Sequence, residues 1–257
     1  MSAVMDERYS RKVALRHERL YGHGYQGPGS EAVFDRLAAR LDLRQGLSVL
    51  DVGSGLGGDC LRLAEKFGVA VVGLDAAPDM TGICLERYRN SPIKGVTFTT
   101  GDVRTTALLE PASFDVVWTR DCGAFWSEQE KADIWGRLHQ ALRPDGQVLI
   151  TDYCKGPAES TEFDNIMDAW GQHMMLPSRY IEILTAAGFT DIVLSDRTED
   201  LLNSMLEGRE LLLTQKELFM QDLSSAEYDN LLDRWNKKIG FARDGLLVWT
   251  VLAARRP

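Results

Sequence analysis

The chain is poor in the residue types that build metal centres and disulfide frameworks: its 257 residues include only four cysteines and four histidines. Cys60, Cys84, Cys122 and Cys154 are scattered, with no C-x-x-C pair and no histidine at ligand spacing. Neither a metal site nor a set of disulfides is expected. No apolar run approaches the roughly 20 residues that a membrane helix needs. The opening MSAVMDERYSRK lacks the apolar core of a secretory signal. Basic residues are also in short supply, 29 against 38 acidic ones, for a formal net charge of −9. That balance argues against a nucleic-acid or anionic-membrane partner. What remains is a cytoplasmic protein with reduced thiols and a small-molecule ligand; the oligomeric state is left open.

With 44% hydrophobic and 26% charged residues, the composition is that of an ordinary globular chain. Its length suits one large α/β domain with helical additions. Short apolar, β-branched runs alternate with longer helical patterns, as in βαβ units carrying a mostly parallel sheet. Strands are expected at 47–52, 69–75, 95–100, 113–119 and 146–153, with two more at 189–196 and 245–254. Between them, 60–67, 80–88 and 128–142 place apolar residues three or four apart, as amphipathic helices do. Residues 1–45 read as a helix over roughly 5–20, a glycine-rich loop YGHGYQGPGS at 21–30 and a second helix over 31–41. Residues 198–240 read as two or three helices inserted before the last strand.

The most informative stretch is VLDVGSGLGG, residues 49–58. Gly53, Gly55 and Gly58 have the G-x-G-x-x-G spacing that lets a strand turn tightly into a helix beside a ligand. That spacing alone fits a nicotinamide dinucleotide or S-adenosylmethionine equally well. The neighbouring carboxylates separate the two. Asp51 lies just before the glycines, where it would repel a pyrophosphate but suit an ammonium and a sulfonium. Asp75 ends the next strand, placed to accept bonds from two ribose hydroxyls. Asp102 and Val103 follow the third strand, where an acceptor and an apolar side chain could hold adenine.

LDVGSGLGG, GLDAAPDM, GDV, FDVVWTRD and LRPDGQVLITD, in this order over about residues 46–155, resemble the successive motifs of class I S-adenosylmethionine-dependent methyltransferases. The resemblance implies a doubly wound, Rossmann-like α/β fold with a seven-stranded sheet whose last strand, GLLVWTVLAA, runs antiparallel. It also implies an N-terminal helical lid over 1–30 and a single domain over 1–257. S-adenosylmethionine would be the cofactor and S-adenosylhomocysteine its product. Gly53, Ser54 and Gly55 would face the methionine end, Asp75 and Ala76 the ribose and adenine edge, and Asp102 and Val103 the adenine. Gln26, Met80 and Arg120 complete the implied cofactor contacts.

A narrower resemblance covers nearly the whole chain. The tyrosine-bearing N-terminal helix, the glycine-rich loop, WTRD, LITDYC, ILTAAGF and WNKKI are similar to phosphoethanolamine N-methyltransferases and to the methyltransferase domain of ovothiol-forming enzymes. In that family a lid closes over a small amine, and a lid tyrosine pairs with a histidine. Tyr9, sixteen residues before Tyr25, matches the catalytic tyrosine; Asp121 matches an acid that holds the amine; Tyr153 and Lys238 match contacts to the anionic end. The departures are specific. Phe125 stands where the family has its histidine, and DAWGQHM at 168–174 offers Trp170 and His173 but no arginine for a phosphate. A singly charged carboxylate is therefore expected in its place.

Two chemistries follow. In one, Tyr9 orients an amine of a zwitterionic or amino-acid-like compound, and His17 or His23 takes the proton. In the other, the acceptor is a tertiary amine, thioether or thiol, and Phe125, Trp126, Tyr9 and Tyr25 form a cage with Trp170 near it. A nicotinamide-dependent oxidoreductase and a binding protein without catalysis are the competing classes; no Tyr-x-x-x-Lys pair supports the first. Deleting the lid through residue 25 is expected to abolish turnover and spare stability.

Overall fold

A computed structural model describes residues 8–28 and 30–257. Seven strands form one sheet: β1 (Ser48–Val52), β2 (Ala70–Asp75), β3 (Val96–Thr100), β4 (Phe114–Arg120), β5 (Leu142–Lys155), β6 (Thr190–Asp196) and β7 (Leu247–Arg255). Their spatial order is β3-β2-β1-β4-β5-β7-β6, with β7 antiparallel to both neighbours. The doubly wound fold expected from the motifs is the one observed. Chain order reverses between β1 and β4, which lie parallel side by side. In open α/β sheets, that switch point opens a crevice at the carboxyl ends of the strands.

Alternation along the strands divides the core into two layers. Val49, Trp118, Leu149 and Val251 face one side of the sheet. Leu50, Val117, Ile150 and Leu252 face the other. The first layer is covered by α1 (Arg11–Tyr21), α2 (Ser30–Ala38), α3 (Gly58–Phe67) and the helices inserted before β7. The second is covered by α5 (Glu128–Ala141) and α7 (Pro177–Ala186). The remaining elements are α4 (Pro78–Tyr88), α6 (Thr161–Ala169), α8 (Thr198–Thr214), α9 (Lys216–Phe219) and α10 (Ser225–Arg243). Two of the helices begin with full capping boxes, Ser127 with Glu130 and Ser224 with Glu227, which satisfy the orphan amides of a first turn.

The periodic elements fall within a few residues of their expected limits, and the differences have causes. β5 runs to Lys155, two residues beyond expectation, because β7 pairs with it as far as Leu247. α10 continues to Arg243, three residues past the end expected for the insertion. α1 starts only at Arg11, after Ser10; residues 1–7, on which the earlier start and part of the lid fall, lie outside the described residues.

The N-terminal segment is also more than a cover. Ala14, Leu20 and Tyr25 are buried, and Leu20 belongs to the main core with Phe34 and Leu37. Glu18 accepts both guanidinium arms of Arg87 (2.6 and 2.8 Å) and the Gly24 amide (2.7 Å). Arg11 pairs with Glu86, and its amide donates to Asp79 Oδ2 at 2.7 Å. Removing this segment strips core surface, so deletion through residue 25 should lower stability, contrary to the expectation from sequence. Leu20→Ala should reduce the unfolding free energy by about 2–4 kcal/mol. A denaturant titration with an unchanged slope would show that effect.

Candidate active site

The crevice at the switch point holds a cavity of about 610 Å³, within the size range of metabolite and cofactor sites. Its floor is the turn after β1. Gly53 and Gly55 have φ of +75° and +52°, left-handed values that only glycine adopts freely. A side chain on Gly53 would lie 2.9 Å from Cys122 Cβ, and one on Gly55 would lie 3.0 Å from Gln26 Nε2. The Gly53 and Ser54 amides both donate to the Leu74 carbonyl, so β2 holds the turn in place.

Asp75 closes the next side. Its Oδ2 accepts the Gly55 amide and its Oδ1 the Ala77 amide, each at 2.8 Å. Burial pushes its pKa above the ordinary carboxylate range. Ala76, Asp102 and Val103 continue the same wall, as expected. Asp102 does not stand alone, however. Arg104 chelates its carboxylate and also pairs with Glu130, and the Arg104 hydrogen bond holds the Asp102 pKa down. Sequence reasoning missed Arg104, although it lies only two residues away.

Asp51 is almost fully buried beneath the turn and accepts from Cys60 Sγ at 3.1 Å. Burial first, and then the charge of Asp59, pushes its pKa up to about 8. Asp59 in turn takes Trp118 Nε1 at 2.9 Å and Arg120 at 3.1 Å. Arg120 reaches on to the Pro28 carbonyl at 2.6 Å and lies over the Tyr25 ring. It thereby fastens the lid loop to the ends of β4 and α3. Tyr25 lines the same cavity and packs against Gly58, beside the glycine turn.

The opposite wall carries Tyr9, Asp121, Cys122, Phe125, Trp126, Trp170 and His173. Asp121 has φ +57°, and its Oδ1 is fixed by Trp249 Nε1 (2.7 Å) and Thr151 Oγ1 (2.8 Å). Its Oδ2 lies close to Gly27, 3.2 Å from where a side chain on that glycine would begin. Burial raises the Asp121 pKa. Tyr9 meets Phe125 edge to face at 5.9 Å, and burial keeps its phenol protonated at neutral pH.

Four expected site residues do not line this cavity. Met80 is fully buried behind the turn with Leu56 and Ile83, although its Sδ receives Gln26 Nε2 at 3.0 Å. His17 is half-buried on α1; burial, then Lys238, Arg16, Arg234 and Arg8, depresses its pKa to about 4. An imidazole so depressed and so placed is a poor proton acceptor. Tyr153 and Lys238 lie behind Trp170: the Lys238 ammonium is 5.0 Å from the Tyr153 ring and 5.9 Å from that of Trp170. His23, the other base considered, is exposed and pairs with Glu18.

Two arginines missed in the sequence join Lys238. Arg234 lies over Trp170 at 4.7 Å; Arg8 lies over Phe125 at 5.0 Å and donates to the Trp170 carbonyl at 2.7 Å. Among the described residues none of these three cations forms an ion pair. The signals available were the i, i+4 spacing of Arg234 and Lys238 on one helix and the adjacency of Arg8 to Tyr9. The cations missing from 168–174 thus stand nearby on α10 and the N-terminal segment, against rings that line the cavity.

The lining itself suits a cation-bearing cofactor. It contains six aspartates, Asp51, Asp59, Asp75, Asp102, Asp121 and Asp168, against Arg104 and Arg120, both already paired. A pyrophosphate would meet net repulsion there, whereas an ammonium and a sulfonium would not.

Comparisons with known proteins agree. Residues 49–146 match the family model "Methyltransferase domain". Phosphoethanolamine N-methyltransferase 1 of Arabidopsis thaliana is 32% identical over 96% of this chain, which spans about half of that protein. Phosphoethanolamine N-methyltransferase of Plasmodium falciparum is 27% identical over 98% of this chain and 94% of its own length. The structure of Haemonchus contortus phosphoethanolamine N-methyltransferase 2, in complex with phosphomonomethylethanolamine and S-adenosylhomocysteine, superposes with a TM-score of 0.92 at 29% identity. It is matched over 99% of this chain and 59% of that one. In its fold and motifs the chain resembles the class I S-adenosylmethionine-dependent methyltransferases and, among them, the phosphoethanolamine N-methyltransferases.

A methyl group at position 53 tests the turn. Gly53→Ala would force a left-handed alanine, costing about 1–2 kcal/mol, and press its Cβ on Cys122. Calorimetry should show S-adenosylhomocysteine binding at least tenfold more weakly.

Proposed function

We propose that the protein transfers a methyl group from S-adenosylmethionine to the nitrogen of a small zwitterionic metabolite. When bound, the cofactor supplies an electrophilic methyl group on a sulfonium. Gly53, Ser54 and Gly55 hold the methionine end, Asp75 and Ala76 the ribose, and Asp102 and Val103 the adenine. Gln26, beside Gly55, and Arg120, through Pro28, close the lid loop over that half.

One observation carries the reading of the acceptor: Asp121 lines the second half of the cavity, and three cations gather against the aromatic rings that line it. Asp121, oriented by Trp249 and Thr151, lines the cavity as a carboxylate that accepts the amine's hydrogen bond and takes the proton the amine must lose before its lone pair attacks. Arg8, Arg234 and Lys238 gather around Phe125 and Trp170. An acceptor with an amine at one end and an anion at the other matches both. Three cations suit a dianion at least as well as a carboxylate, and charge-assisted contacts to guanidinium are the stronger kind. Tyr9 stays protonated and orients the acceptor. Phe125 and Trp126 exclude water and place aromatic faces beside the developing ammonium, worth about 0.5–2 kcal/mol per contact.

Phe125 in place of a histidine, with His17 off the cavity, favours a second reading. A tertiary amine or a thioether needs no base, and Tyr9, Phe125 and Trp126 would serve it as a proton-free cage.

Release of S-adenosylhomocysteine should be measured with phosphoethanolamine, its monomethyl derivative, glycine, sarcosine and a thioether amino acid. Calorimetry with NAD serves as the control for the oxidoreductase alternative. Turnover of a zwitterionic amine is expected. Turnover of the thioether alone would establish the second reading, and NAD binding in the crevice would overturn both.

For an amine acceptor, Asp121→Asn should lower kcat/KM about 100-fold while S-adenosylhomocysteine still binds. The pH profile carries a further expectation. Burial, then Arg234 and Arg8, depresses the Lys238 pKa to about 8. Lys238 is a cation below that pH and neutral above it, so KM for an anionic acceptor should rise as pH passes 8. Lys238→Met should raise KM at pH 7 and remove that alkaline limb.

A further inference from the structure

Beneath the acceptor wall lies a buried charged group that the proposed chemistry does not use. Lys131, in the first turn of α5, is 1% exposed. Its ammonium donates to two backbone carbonyls, Trp126 at 2.6 Å and His173 at 2.7 Å. Burial lowers its pKa, and the charge of Asp152 opposes that shift.

Asp152, fully buried on β5, accepts the Ala124 amide through Oδ1 at 3.0 Å and the Tyr153 amide at 2.9 Å. The Ala124 carbonyl in turn accepts the His173 amide at 2.6 Å. The peptides of two loop segments, 122–126 and 170–174, are thus bonded to each other and to one buried ammonium and one buried carboxylate. Gly123 is pressed onto this brace: a side chain there would lie 2.2 Å from Asp152 Oδ2 and 2.8 Å from the Tyr180 hydroxyl.

Those two segments carry Cys122, Phe125, Trp126, Trp170 and His173, which line the acceptor side of the cavity. The cofactor side is held by separate bonds, from Gly53 and Ser54 to Leu74 and from Gly55 and Ala77 to Asp75. An interior ammonium is costly to desolvate, and an apolar side chain in its place would leave two partly buried carbonyls without their donor. Its place is accounted for if it sets the distance between the two loops.

We propose that Lys131 is a positioning residue: its ammonium, with Asp152 as the third anchor, fixes the acceptor wall through bonds other than those that hold the cofactor turn. The statement about acceptor geometry rests on the methyl-transfer reading; the coupling of the two loops does not.

The test uses the full chain, with and without S-adenosylhomocysteine. In Lys131→Met, amide hydrogen exchange at Ala124 and His173 should speed up together by at least tenfold, while residues 49–58 keep their protection. Affinity for S-adenosylhomocysteine should stay within threefold of the parent, and kcat/KM for the amine turned over best should fall at least tenfold. In Lys131→Ala, butylammonium should restore part of the lost protection, which a general loss of packing would not allow. Asp152→Asn keeps the Oδ1 acceptor and should disturb the Ala124 amide less than Asp152→Leu does. Exchange that rises in only one segment, spreads to 49–58, or is unchanged would overturn the brace. Failure of the parent protein to bind S-adenosylhomocysteine would instead remove the methyl-transfer reading, and the exchange measurement would still judge the coupling.

Discussion

The turn between β1 and α3 meets the tips of neighbouring strands and the loop before α2, and it can do so because Gly53, Gly55, Gly57 and Gly58 carry no side chain. Around Gly53, Gly55, Gly57 and Gly58 the nearest atoms belong to Cys122 after β4, Gln26 of the lid loop, Phe98 of β3, and Gly24 with Tyr25. A single Cβ at any of these positions would meet a neighbour within 3.0 Å. Close approach of backbone to backbone lets strand tips, lid loop and helix α3 enclose one cavity. It also explains why the lid loop is part of the packed structure: the Gly58 amide donates to the Gly24 carbonyl, and Arg120 holds Pro28.

Charge is distributed around this turn with a clear division of labour. Carboxylates crowd the cofactor half, where burial raises the pKa of Asp51 and Asp75 and so favours a ligand that brings positive charge. Arg8, Arg234 and Lys238, which form no ion pair among the described residues, gather against Phe125 and Trp170, where burial and mutual repulsion lower the pKa of Lys238. Both sets are destabilised by their own confinement, and a ligand carrying complementary charges would relieve both. Asp121 lines the cavity between them, with one oxygen fixed by Trp249 and Thr151 and the other close to Gly27.

Much of this was legible along the chain because the relevant spacing is short. A strand with period two, a helix with period three to four and a glycine turn between them each occupy about ten residues, so β1, the turn and α3 could be located closely. The same holds for Asp75, which ends β2, and for Asp102, two residues after β3. Side chains that act across the fold were less legible. Lys238 and Tyr153 were matched as substrate contacts, yet they stand behind Trp170. His17 was a candidate base because it shares a helix with the lid, and its surroundings of Lys238, Arg16, Arg234 and Arg8 could not be read from that helix.

The sequence by itself determined the order of elements, the glycine turn and the acids at the strand tips, because hydrophobic period and backbone strain are local properties. Only the tertiary structure decided which distant groups share a cavity. It brought Arg8 and Arg234 to the rings of Phe125 and Trp170, chelated Asp102 with Arg104, and buried Lys131 between two loops. Desolvation and electrostatic coupling depend on distances through space, and residues more than 160 positions apart acquire those distances only when the chain is packed.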